Sequence, residues 1–329
     1  MNTLARKIRA SVSAAAVCFA IAVPGVAWAD PMRVAFGDIA TVESLNLLAA
    51  LERAREKGVD VQITYLKSED IAAQAVVSGQ ADIGVGAPYA LLQKVKAPIR
   101  IFMQLSKLQF YPVVNTEFYK DWKDLDGQEI AVHSRGSGTE AIMQLMADKN
   151  GIKYSNISYV PGAEVRTGAL LQGNVKATIV DSSGKRILED KAPGKFAFLP
   201  LGEVAATDEA LFANTDYLSA NAKDVEILVE AILTTWREVA ADPKSVTALR
   251  EKYKLLPDAT PEMVADIEPY FTGIASNMPL NGGGEAAAKD DFAFYTISGA
   301  LEGEAKDLKV EDFWDLTALN GVLSRVGTK

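Results

Sequence analysis

Two stretches of the chain, 94 residues apart, carry the same pattern without a gap: "YLKSEDIAAQAVVSGQADIGV" at 65–85 and "YVPGAEVRTGALLQGNVKATIV" at 159–180. Tyr65 falls on Tyr159, Ala75 on Ala169, Val76-Val77 on Leu170-Leu171, and Gly79 on Gly173. Each copy reads as a strand end, a loop, a helix, a glycine suited to a helix C-cap, and a new strand. Units of this kind are common in α/β chains, so a chance match of generic patterning is the competing account. A chain that builds the unit twice is predicted to fold into two similarly built α/β lobes.

The flanking sequence agrees. "MRVAF" (32–36) reads as a buried strand, Leu45 to Lys57 as an amphipathic helix, and "VDVQITYL" (59–66) as an alternating strand, which gives β-α-β with parallel pairing. The first 29 residues read as a secretory signal: Arg6, Lys7 and Arg9 start it, Ala14 to Val23 form its apolar centre, and Ala27-Trp28-Ala29 offers a small-x-small cleavage site before Asp30. Cys18, the only cysteine, follows Val17, which fits a lipoprotein cleavage site poorly. The expectation is therefore a periplasmic protein, cut after Ala29, free of a lipid anchor and 300 residues long. A chain of that length buries a large core and usually splits into lobes.

Cleavage removes three positive charges and no acids, which takes the net charge from −9 to −12. Such a surface argues against nucleic acid as a partner. With no cysteine left and a single histidine, His133, neither a thiolate nor a histidine-cluster metal site is available. No G-x-S-x-G elbow is present, so an enzyme is not expected, and neither is a metal or cofactor.

Each predicted lobe carries a strand-to-helix turn. Ile83 to Val85 leads through Gly86-Ala87 to Pro88, a good first helical residue, and then Tyr89. In "GQEIAVHSRGSGTEAIMQLM" (127–146), Ser137 and Glu140 have capping-box spacing ahead of an apolar face. Open α/β sheets bind ligands beyond the carboxyl ends of their strands, where these turns sit.

The runs "VSGQADIGVGAPYALL", "DLDGQEIAVHSRGSGTEA" and "ALLQGNVKATIVD" resemble the periplasmic substrate-binding proteins of the NMT1/TauA/SsuA group, and "LSANAKDVEILVEAILTTWREVAADP" (218–243) resembles the long helix that follows their second interlobe crossing. The resemblance covers essentially the whole mature chain. It implies a type II periplasmic-binding-protein fold, with two α/β lobes joined by a two-crossover hinge around a ligand cleft. Lobe 1 would take 30–112 and 205–329, and lobe 2 would take 113–204. It also implies a monomeric receptor that delivers a small polar organic solute, an anion such as a sulfonate or carboxylate, to an ABC permease with its ATPase. Two departures stand out. Lys176 occupies a place where the group commonly has an acid, and "RGSGTE" also resembles the TAXI-type receptors of TRAP transporters. A TRAP receptor, a binder of heteroaromatic solutes and an enzyme on the same fold are the alternatives.

Candidate ligand contacts follow from loop position. Ser134, Arg135, Ser137, Gly138 and Thr139 offer hydroxyls, a guanidinium and close backbone approach at a helix N-terminus, although the same residues serve equally as a simple helix cap. Asp38 and Lys107 sit in loops where a solvated charge is the common outcome. Ala87 and Tyr89 begin a helix, and an aromatic there is as often core as contact. Arg166 lies in the first turn of a helix, where the macrodipole disfavours it, and this points to an anionic partner, either ligand or a neighbour such as Glu164 or Asp181. Asp181 and Ser182 end a strand on the same side. His133 reads as a packed strand-end histidine in preference to a ligand contact.

Overall fold

The computed structural model describes residues 30–202 and 204–328. The expected signal segment, its cleavage site and Cys18 lie outside the described residues. Ten strands form two five-stranded sheets. The first sheet holds β1 (Met32–Phe36), β2 (Val61–Tyr65), β3 (Ile83–Gly86), β4 (Ile99–Gln104) and β10 (Ala210–Asn214), in the order β2-β1-β3-β10-β4. The second holds β5 (Tyr111–Asn115), β6 (Glu129–Val132), β7 (Asn156–Tyr159), β8 (Ala177–Val180) and β9 (Phe196–Phe198), in the order β7-β6-β8-β5-β9. In each sheet three strands pair in parallel, and one strand (β10 or β5) runs antiparallel between two neighbours.

The 94-residue offset is visible in the elements themselves. Helix Glu69–Val77 corresponds to helix Ala163–Leu171, and β3 corresponds to β8, with the same offset at both ends of each. Gly79 (φ +74°) and Gly173 (φ +78°) both take the left-handed conformation that ends a helix without a Cβ penalty. Buried on both faces, β3 and β8 are short apolar or small-residue runs, as strands covered by helices on either side tend to be.

The chain crosses from the first sheet to the second after β4 and returns before β10. The two crossing segments are hydrogen-bonded to each other: Leu105 N–H donates to Glu209 O, Leu108 N–H to Ala206 O, and Asp208 N–H to Ser106 O, at 2.8, 2.9 and 3.1 Å. This ribbon of two crossovers is anchored to the first sheet by the long helix Ala222–Ala241, whose fully buried Trp236 donates its indole N–H to Leu105 O at 2.7 Å. Among the described residues no helix is long and apolar enough to cross a membrane.

Candidate functional site

The carboxyl ends of the central strands of both sheets, together with the crossover ribbon, surround two adjoining chambers of about 30 Å³ and 50 Å³. Glu43, Phe110, Asp208 and Glu209 line both. The smaller chamber adds Asp38 and Glu69 from the first sheet's side, and His133, Ser137, Gly138, Thr139 and Arg166 from the second. The larger adds Ser106, Lys107, Asp181, Ser182, Trp236 and Tyr270, among others.

The helix Gly138–Asn150 begins at this wall. Ser137 caps it, its Oγ accepting from Glu140 N at 3.4 Å and donating to Ser134 O at 2.8 Å. Glu140 completes the cap in a way its spacing does not predict: its carboxylate accepts from Gly136 N–H at 2.6 Å, not from Ser137, and takes the Tyr159 hydroxyl at 2.7 Å. Its charge is therefore turned away from the chamber. The close approach expected at Gly138 is toward the crossover: a Cβ there would lie 2.3 Å from Leu108 Cδ2.

His133 joins the two sides. Its Nδ1 accepts from Gly162 N–H at 3.3 Å, which leaves the proton on Nε2 facing Gly37 O at 3.4 Å. Burial, and then the nearby Arg166 charge, push its pKa down to about 4, so the ring is neutral. Its 3.6 Å approach to Asp38 is accordingly no ion pair.

Arg166 is 1% exposed. It donates through Nε to Ile179 O and through one Nη to Val160 O, both at 2.9 Å, and no carboxylate lies within ion-pair distance among the described residues. Neither Glu164 nor Asp181 is the direct partner that its position in the helix suggests.

Acids dominate the chamber walls. Glu69 accepts from Ala87 N–H at 3.0 Å with one oxygen, and its other oxygen stands 4.0 Å from His133. Asp181 caps the helix Ser182–Lys191 through Gly184 N–H at 2.7 Å, and Asp38 accepts its neighbour Ile39 N–H, also at 2.7 Å. Burial is the main cause that raises all six wall carboxylates above their ordinary range: Glu69 to about 8, Asp208 to about 7, Glu43 and Glu209 well up, and Asp38 and Asp181 in the same direction. Repulsion from Asp38 and Asp181 adds to it at Asp208, and repulsion from Asp181, Asp208, Glu209 and Asp38 adds to it at Glu43. No group of three or more metal-ligating side chains converges among the described residues.

The structure thus brings together Asp38, Lys107, Ser137, Gly138, Thr139, Arg166, Asp181 and Ser182 around one space. It places four other expected contacts elsewhere. Tyr89 is fully buried in the first sheet's own core, where its hydroxyl bonds Asp291 and accepts from Trp314 Nε1 at 2.8 Å and its ring packs on Tyr295 and Phe313. Ala87 reaches the site only through its N–H on Glu69. Arg135 stacks over the Tyr159 ring at 5.1 Å, and Ser134 is buried outside both chambers. Sequence reasoning missed Glu43, Glu69, Asp208 and Glu209. The only signal was the density of acids in "FGDIATVES" and in "ATDEA" ahead of β10.

A family model described as NMT1/THI5 like matches residues 46–246. No curated protein sequence matches the chain. Among solved structures, a Bordetella bronchiseptica RB50 protein is similar at a TM-score of 0.71 and 20% identity, over 90% of this chain and 98% of that one. The alkanesulfonate-binding protein SsuA from Xanthomonas axonopodis pv. citri bound to MOPS is similar at 0.61 and 15%, over 86% and 98%. The periplasmic nitrate-binding protein NrtA from Synechocystis PCC 6803 is similar at 0.64 and 12%, over 91% and 90%. At these identities the likeness shows a shared fold, that of the periplasmic binding proteins.

Proposed function

Since the chain belongs to the NMT1/THI5-like family, we propose that it is an extracytoplasmic receptor which closes two lobes on one small polar solute and presents it to an ABC permease with its ATPase. The lobes are residues 30–112 with 205–329, and residues 113–204. The observation that carries this reading is the chamber itself: polar side chains from both sheets and from the crossover ribbon converge on one buried space, as a clamp requires. The similar structures named for what they bind, sulfonate in one case and nitrate in another, support the class. A binding role and no reaction is the reading, because the neutral His133 is tied up in two backbone bonds and Arg166 in two more, so neither is poised as an acid, base or nucleophile.

Contacts that span the chamber fit a closed clamp. Arg186 and Ser183 on one side both bond Asp266 on the other. The sulfonate or carboxylate expected from the sequence has Arg166 and the start of the Gly138–Asn150 helix to meet it, but six wall carboxylates stand around that pair. Thermal-shift screening of the mature protein against nitrogen, sulfur and carbon sources tests the class. A solute at 100 times its dissociation constant raises stability by about 2.7 kcal/mol, and a flat response to every small solute would remove the receptor reading.

A further inference from the structure

Asp38, Glu43, Glu69, Asp181, Asp208 and Glu209 face one buried guanidinium, Arg166, and one exposed ammonium, Lys107. Among the described residues none of the six makes an ion pair with a lysine or arginine. The carboxylates of Glu43 and Glu209 accept no hydrogen bond from any described residue, and that of Asp208 is met only by the Ser106 hydroxyl. Buried charges are paired or pay heavily. Here the protein supplies too little positive charge to do the pairing, and the acids are too spread out to coordinate a metal.

A second observation stands apart from the acids. Arg166, 1% exposed, spends Nε and one Nη on the backbone carbonyls of Ile179 and Val160. Its remaining Nη has no protein partner among the described residues, and the side chain lines the smaller chamber. A guanidinium so held presents one charged edge to whatever occupies that space, and an oxyanion or another strong acceptor satisfies it.

We propose that the solute is a small organic cation with a single acceptor end: the acceptor, such as a carboxylate, sits on Arg166, and one or more protonated nitrogens lie among Glu43, Asp208 and Glu209. This rests on the receptor reading above and names the chemistry that reading leaves open. A simple anion would satisfy Arg166 and leave the acids without a cationic partner. A diamine without the acceptor would satisfy the acids and leave Arg166 unmet. A compact diamino acid answers both, and adjoining chambers of about 30 and 50 Å³ suit a small molecule.

Calorimetric titration at pH 7.5 with three probes of matched size, 2,4-diaminobutyrate, 1,3-diaminopropane and propanesulfonate, separates the cases. The expected order is diaminobutyrate tightest, diaminopropane at least tenfold weaker, and propanesulfonate weakest of all. Glu209→Gln should weaken both diamines at least tenfold without lowering the melting midpoint, because it removes a half-buried carboxylate that no protein group pairs. Arg166→Lys should narrow the gap between the two diamines, since a point charge does not replace a fixed guanidinium edge. Propanesulfonate binding more tightly than either amine, or Glu209→Gln raising amine affinity, overturns the charge assignment and leaves the receptor standing. A melting midpoint unmoved by these probes and by the broad solute screen removes the receptor reading with it.

Discussion

The two copies of the internal repeat share a backbone and differ at the positions that meet the chamber. Helix Glu69–Val77 and helix Ala163–Leu171 are the same length, follow equivalent strands and lead into equivalent strands. At the fourth position the first copy buries Ala72 at 0% exposure, and the second buries Arg166 at 1%. At the first position the exchange is reversed: Glu69 sends a carboxylate into the chamber, and its counterpart Ala163 is a buried methyl on the same wall. Conserved spacing within the chain therefore accounts for the scaffold, and the exchanged charges account for the site. One copy contributes a carboxyl group, the other a guanidinium, and both line the same space.

Forcing the copies to resemble each other gives the largest predicted effect. Ala72→Arg puts a guanidinium into a core of apolar side chains. The cost is expected to be about 4 kcal/mol or more, enough to lose soluble protein, as read by expression and urea denaturation. The reverse change, Arg166→Ala, strips the Ile179 and Val160 carbonyls of their donors and should cost about 2–4 kcal/mol in the same assay. It should also weaken binding of a carboxylate-bearing diamine far more than it weakens binding of a diamine alone.

The third prediction concerns pH. Glu69 has its folded pKa raised to about 8 from 4.5, so the folded state holds the proton more tightly than the unfolded chain does. Its contribution is fully present below pH 4.5 and is lost as pH rises through about 8. Asp208, raised to about 7, acts in the same direction. His133 acts oppositely: its folded pKa is depressed from 6.5 to about 4, so its contribution is present above pH 6.5 and lost as pH falls through about 4. Melting curves should show a maximum at mildly acidic pH, and Glu69→Gln should flatten the alkaline limb while leaving the acid limb in place. A steep alkaline limb retained in Glu69→Gln would show that this copy's carboxylate is not the group responsible.

The smallest effect is expected at the second copy's cap. Ser137→Ala removes one acceptor and should cost about 1 kcal/mol of stability by urea denaturation. Glu140 remains to bond Gly136, so a loss of several kcal/mol would mean that the hydroxyl network linking Ser137, Thr139 and His133 carries more than a cap.

Local signals made most of the scaffold legible in the sequence. The glycines at 79 and 173, the apolar strands and the helical spacing each announce themselves within a few residues. The site was half legible. Ser137, Thr139, Arg166 and Asp181 lie at strand ends within the repeat or its neighbouring turn, where geometry directs attention. Asp208 and Glu209 arrive on the returning crossover, and Glu43 in a loop before a helix, where a lone acid reads as solvated until the other sheet is placed over it. Tyr89 is the opposite case. Its position suited core and contact equally, and Asp291 and Trp314, more than 200 residues further along the chain, close around its hydroxyl, where nothing local reports them. The acids that stand around Arg166 and the glycine-rich turn were hidden for the same reason, because they come from distant segments.

The central claim is that the two copies form opposing walls of one clamp. Small-angle X-ray scattering of the mature protein, with and without a solute shown by thermal shift to bind, tests it most directly. The account predicts a smaller radius of gyration on binding, as the crossover ribbon lets the walls close and the Asp266 contacts to Ser183 and Arg186 form. Superimposable curves in the presence of a solute proven to bind would contradict it.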